Sequence, residues 1–135
     1  MHMDVYTTKE FYVRAKNVPG LLYKMSSLLG EHGINVEAIS AFAINDNEAI
    51  FRIISSDVET TQKLLSRMEE VVDAGLSDVV VVKLENKPGE LAKATERLHK
   101  HGVDLEAVYI VRASDVTEVA LKPKDVRAAL EALKR

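Results

Sequence analysis

A chain of 135 residues suits one medium domain or two small ones, and at that length about 70% of the unfolded surface can be buried. With 47% hydrophobic and 29% charged residues and a net charge of -3, it has the composition of an ordinary folded domain and lacks the basic excess of a nucleic-acid binder. It has no cysteine, which excludes disulfides, thiolate metal sites and cysteine nucleophiles, and no apolar run approaches the roughly 20 residues of a membrane span.

The first predicted strand is Glu10 to Lys16, where Phe11, Val13 and Ala15 alternate with Tyr12, Arg14 and Lys16. A Pro19-Gly20 break follows, then a helix carrying Leu21, Leu22, Met25, Leu28 and Leu29 at helical spacing. Gly33 ends that helix, and a strand runs from Ile34 to Ile44. Asn45-Asp46-Asn47 signals a turn before a return strand from Ala49 to Ile54. Asp57 is placed to cap a second helix with an inward stripe of Val58, Thr61, Leu65, Met68 and Val72. A short strand around Leu76 would close this half, and Gly75 to Asp78 would be the boundary. Val79 to Leu84 is continuously apolar and β-branched, as suits a strand buried on both faces. After Pro88-Gly89 comes a third helix, then a strand over Leu105–Val111, a turn at Ala113–Asp115 and a strand over Val116–Leu121. Asp125 caps the last helix, with Val126, Ala129, Leu130 and Leu133 facing inward.

These elements are one unit written twice. A shift of 69 lays Asn17-Val-Pro-Gly-Leu-Leu22 on Asn86-Lys-Pro-Gly-Glu-Leu91, and His32-Gly-Ile-Asn-Val-Glu-Ala38 on His101-Gly-Val-Asp-Leu-Glu-Ala107. Between positions 17 and 39, 10 of 23 aligned residues are identical. The expected fold is α+β, with two ferredoxin-like βαββαβ units in tandem, residues 1–77 and 78–135. Each antiparallel sheet should carry its helices on one side. The second copy stops after its second helix and lacks an obvious last strand. Either its sheet has one strand fewer, or another segment fills the slot, or the sequence is cut short.

The Asn-x-Pro-Gly junction, the His-Gly-Ile-Asn-Val helix exit and the hairpin and helix that follow resemble the ACT domain, twice over. That resemblance implies a regulatory module that binds an amino acid or similar small effector and does no chemistry. It implies side-by-side pairing of units around the ligand.

Candidate ligand contacts follow from the two loops. In one reading, backbone N–H groups of Gly20, Leu21 and Leu22, or of Gly89, Glu90 and Leu91, receive a carboxylate at a helix start. Asn17 or Asn86 would contact the ligand from the same loop. In the other reading these loops are only strand-to-helix turns with an Asn cap. Asn35 and Asp104 occupy matching places after the helix exits. The resemblance has such residues reach the ligand of the opposite unit, so Asp104 would serve the first loop and Asn35 the second. Alternatively each bonds its own backbone. His32 and His101 are better read as last-turn cations near helix carbonyls than as catalytic groups. Glu37 and Glu106 read as solvated strand positions. No metal constellation, phosphate-binding loop or activated serine is present in the pattern.

The expectation is therefore a cytoplasmic, non-enzymatic, amino-acid-responsive regulator without a cofactor, nucleic-acid partner or membrane contact. The competing expectation is a ligand-independent adaptor of the same fold. A homodimer is expected on two grounds. Leu21, Met25 and Leu28 stand where the second copy has Glu90, Ala94 and Arg97, so that apolar stripe asks for a partner unless it widens the first core. The missing last strand would also leave an open edge.

Overall fold

A computed structural model describes residues 3–134. Its elements run β1 (Asp4–Lys16), α1 (Leu21–Glu31), β2 (Val36–Ala43), β3 (Glu48–Ser55), α2 (Val58–Ser66), β4 (Val71–Glu85), α3 (Glu90–Lys100), β5 (Leu105–Ala113), β6 (Val116–Pro123) and α4 (Val126–Lys134). The chain divides into two compact units. The first is Lys9–Ser77; the second joins the segment through Thr8 to everything from Asp78 onward. The N-terminal residues, assigned from sequence to the first half, thus belong with the second. Residues 1, 2 and 135 of the expected domains lie outside the described residues.

The first unit has the strand order β2-β3-β1-β4, and the second has β5-β6-β4-β1. Both are antiparallel ferredoxin-like sheets. In the first, Phe11, Val13 and Ala15 of β1 join Phe51 and Ile53 of β3, residues of α1 and residues of α2 in a single core. Both helices therefore cover one face of that sheet. In the second, Val80, Val82 and Leu84 of β4 join Val119, Leu121 and residues of α3 and α4 in the same way. Val79 to Val82 are fully buried, as their unbroken β-branched run predicts.

Two strands are longer than expected. β1 starts at Asp4 rather than Glu10, and β4 runs from Val71 through Gly75 and Asp78 to Glu85 without a break. The expected boundary at Gly75 to Asp78 is therefore strand. A glycine weakens a strand without forbidding it, and Gly75 lies between Val71-Val72 and the unbroken β-branched run from Val79. The extra length of β1 answers the question of the missing strand. Met3 N–H donates to the Leu133 carbonyl (3.1 Å), and Met3 and Val5 pack against the second unit's core. On the other face of the sheet Tyr6 Oη donates to Glu118 Oε1 (2.5 Å). Another segment fills the slot, and it comes from the opposite end of the chain.

Local rules account for the rest. Both first helices end in a Schellman motif: Ile34 N–H reaches the Leu29 carbonyl and Gly33 N–H reaches Gly30, as Val103 reaches Leu98 and Gly102 reaches His99. His32 Nδ1 lies 2.9 Å from the Leu28 carbonyl and His101 Nδ1 lies 2.8 Å from the Arg97 carbonyl. Both histidines thus serve their own helix ends. Asp57 accepts from Thr60 N–H at 3.1 Å, and Asp125 accepts from Ala128 N–H at 3.1 Å, so both caps stand. The stripe predicted for α2 drifts at its end. Leu64 is buried, Met68 lies beyond the helix yet in the core, and Val72 is an exposed residue of β4.

The apolar stripe of α1 needs no partner. Leu21 and Met25 are 4% and 1% exposed inside the first core, and Leu28 packs against it. Leu22, read with them as part of the apolar helical set, is instead 51% exposed. The helix starts one residue after Gly20, which turns Leu21 inward and Leu22 outward. Both grounds for the homodimer are thereby removed: the stripe widens a core, and the open slot is occupied.

Candidate functional site

Each candidate loop begins where a strand ends. Asn17 N–H donates to the Asn47 carbonyl (2.9 Å) and Asn86 N–H to the Asp115 carbonyl (3.0 Å). Their side-chain amides reach the same hairpins: Asn17 Nδ2 donates to Asn45 O at 3.3 Å and Asn86 Nδ2 to Ser114 O at 3.0 Å. Neither asparagine caps its helix, contrary to the turn-with-cap reading. Each clamps its loop to the tip of the neighbouring hairpin with one N–H of the amide, which leaves the amide oxygen and the second N–H for other partners. The first hairpin tip is itself an Asx turn, with Asn45 Oδ1 accepting from the N–H groups of Asn47 and Glu48.

The helix starts are held by left-handed glycines, Gly20 at φ 80° and Gly89 at φ 86°. A Cβ at either position would meet no atom within 4 Å. The glycine is thus required by the backbone conformation, and the space beside it is open. Of the three N–H groups expected to face a carboxylate, the middle one is engaged in each loop. Leu21 N–H donates to Val18 O and Glu90 N–H to Lys87 O, each at 3.3 Å. These are long bonds, and the helix ladder itself cannot satisfy the first-turn N–H groups of Leu22 and Leu91.

The second loop carries charges that neutralise one another. Lys87 Nζ lies 2.9 Å from Glu85 Oε2, and Lys93 Nζ lies 2.9 Å from Glu90 Oε1. The hydrogen bond and charge of Lys87 hold the Glu85 carboxyl below its ordinary value, while Glu85 raises Lys87. At neutral pH both groups are therefore charged and paired.

A cavity of about 230 Å³ lies beside this loop within the second unit. Aliphatic side chains of β4, α3, β5 and β6 make up much of its wall, and Glu85, Asn86, Lys87, Glu90, Tyr109 and Thr117 also stand among its lining. Drug-sized sites occupy roughly 300–1,000 Å³, so this one has the scale of a small metabolite. Val108, Ile110, Val119 and Thr117 were not singled out from sequence. The signal was present in the repeat: the second copy has Val119 where the first has Phe51, and Glu90 where it has Leu21.

Asn35 and Asp104 lie away from the loops of their own units. Asn35 N–H donates to Ser56 Oγ at 2.9 Å, and the Asp104 carbonyl accepts from Lys124 N–H at 3.1 Å. The Asp104 carboxylate lies 3.7 Å from Lys124 Nζ. Both therefore sit at helix-to-strand junctions, bonded to the turns that lead into α2 and α4, and among the described residues no hydrogen bond joins either to Asn17 or Asn86. Glu37 and Glu106 are exposed on β2 and β5. Among the described residues no cluster of three histidine or carboxylate side chains could hold a metal ion, and no helix is long and apolar enough to cross a membrane.

Residues 9–73 match the family model of the ACT domain, so the first unit carries one. Among solved structures, a protein of Bacteroides thetaiotaomicron is similar at 28% identity with a TM-score of 0.84, over 96% of this chain and 88% of that one. The ligand-free regulatory subunit of aspartate kinase from Thermus thermophilus is similar at 18% identity and a TM-score of 0.69, over 98% and 97%. That of Thermus flavus is similar at 18% identity and a TM-score of 0.64, over 98% and 97%. At such identity the aspartate kinase subunits show the fold alone. No curated protein sequence matches the chain.

Proposed function

We propose that this chain, with an ACT domain in residues 9–73 and a second unit built on the same repeat, is a non-catalytic regulatory protein that senses an amino acid. The observation that carries the reading is the cavity beside the Asn86–Leu91 loop. There a left-handed glycine, a helix start with unsatisfied donors and a small apolar hollow converge. The ligand's carboxylate would lie at the first turn, on the N–H groups of Gly89 and Leu91, with the Glu90 N–H released from its long bond. The Asn86 amide oxygen would accept from the ammonium. The Asn17–Leu22 loop offers Gly20, Leu21 and Leu22 in the same arrangement. Asn35 and Asp104 belong to the proposal only as groups supplied from another unit. Regulatory subunits of aspartate kinase share this fold, which supports a role in controlling an enzyme held on another chain.

The test is a thermal-shift screen of the full chain with the twenty amino acids, followed by calorimetry. A ligand at 100 times its dissociation constant adds about 2.7 kcal/mol of stability. A reproducible shift that is lost in Gly89→Val supports the reading. If no amino acid stabilises the chain, the adaptor reading takes its place. That second reading has its own observation: Leu91, Val108 and Ile110 are 47%, 48% and 59% exposed, and Val108 and Ile110 lie on the edge strand of their sheet.

A further inference from the structure

The cavity exists because of particular exchanges between the two copies. The pairings Ala41↔Phe51 in the first unit and Ile110↔Val119 in the second occupy equivalent places in their sheets. So do Ala15↔Ala49 and Leu84↔Thr117. In the first unit, Phe51 and Leu21 are core residues, 5% and 4% exposed. Their counterparts Val119 and Glu90 both line the cavity. Replacing a phenyl ring by an isopropyl group withdraws volume from this position, and replacing leucine by glutamate withdraws an apolar side chain. Leu84 and Ile110, standing in for Ala15 and Ala41, extend aliphatic walls around the space.

The charges at its rim are already matched. Glu85 is held by Lys87, and Glu90 by Lys93. A charged ligand side chain entering here would be desolvated against a largely aliphatic wall whose charged groups already have partners, which is costly. A neutral aliphatic side chain would gain from burial against Leu84, Leu91, Val108, Ile110 and Val119. Resting on the ligand-sensing reading above, we infer that the second unit selects an amino acid with a neutral aliphatic side chain, which occupies the hollow left by Val119.

The test is calorimetric titration of the full chain with valine, leucine and isoleucine against lysine, aspartate and glutamate. The expected result is binding of at least one aliphatic amino acid at least tenfold tighter than any charged one. Val119→Phe should close the hollow and weaken that ligand at least tenfold. Since a phenyl ring could also disturb the core, Ile110→Ala at an exposed position is the second variant. It should weaken the aliphatic ligand at least tenfold, since even one methylene lost from a hydrophobic pocket costs roughly 10–200-fold, with the melting temperature unchanged. Tighter binding of a charged amino acid would overturn the inference and leave the sensing reading intact. Aliphatic binding that neither variant weakens would also overturn it. Binding of no amino acid would overturn both.

Discussion

The first unit solves its core with large side chains, the second with small ones and a borrowed strand. Met25 fills the space under α1, whereas its counterpart Ala94 leaves α3 with a smaller apolar contact. The first unit closes its sheet with β4, the next element in the chain. The second closes with residues 4–8, which precede everything else in it. The same plan thus tolerates a change of chain order at one strand, because antiparallel pairing and apolar alternation fix the slot irrespective of which terminus fills it. What differs is dependence: one unit is local in sequence, and the other relies on a distant segment.

Deleting residues through Thr8 should expose that dependence. The second unit would lose its edge strand together with the Met3 and Val5 packing, a loss of roughly 3 kcal/mol or more. Native-state hydrogen exchange should show protection falling across β6 and α4 while β2 and β3 keep theirs. Equal loss in both units would break the comparison.

The ion pairs offer a second contrast. Arg52 Nη1 lies 2.9 Å from Glu10 Oε2, with side-chain exposures of 11% and 0%, and its guanidinium sits 4.8 Å over the Tyr12 ring. Arg112 lies 3.6 Å from Glu118, but its side chain is 67% exposed. Arg52→Met should cost about 3–5 kcal/mol, because it removes one partner of a buried ion pair. Arg112→Met should cost under about 1 kcal/mol. Chemical denaturation of both variants measures the difference, and equal costs would mean that burial does not separate the pairs.

Neighbouring leucines sharpen the account of α1. Leu21→Ala should cost about 2–5 kcal/mol and Leu22→Ala less than about 1 kcal/mol. A reversed order, read from denaturation midpoints, would restore Leu22 as the core residue and Leu21 as a surface one.

That pair also shows what was legible in the sequence. The repeat, the order of elements, both Asp caps and the helix exits follow from local chemistry: apolar period, side-chain acceptors and left-handed glycines. The phase of α1 did not, because Leu21 and Leu22 are equally apolar and the start of the helix decides which one turns inward. The closing strand of the second unit was not legible either. Residues 4–8 carry a weak alternation of Val5 against Asp4 and Tyr6, and only long-range pairing assigns them to β4. Of the candidate site, the loops and their glycines were readable. The roles of Asn17 and Asn86 were not, since their bonds run to hairpins 28 residues away. The cavity escaped because its walls come from four elements, although Phe51 against Val119 recorded it.

The smallest expected effect concerns the cap of α2. Asp57 accepts hydrogen bonds from the N–H and hydroxyl of Thr60, at 3.1 and 2.8 Å, and these hold its carboxyl below the ordinary value. A folded pKa lower than the unfolded one means that the ionised cap stabilises the fold above the unfolded value, about 3.9. That contribution fades as pH falls through the lower folded value. Asp57→Asn keeps an acceptor for the backbone but cannot ionise. The melting temperatures of the two proteins should therefore differ at pH 7 and converge as pH is lowered below 4. The Asp57 curve should bend downward relative to that of the variant. Parallel curves across this range would show that the cap acts through hydrogen-bond geometry alone, with no contribution from its charge at the start of α2.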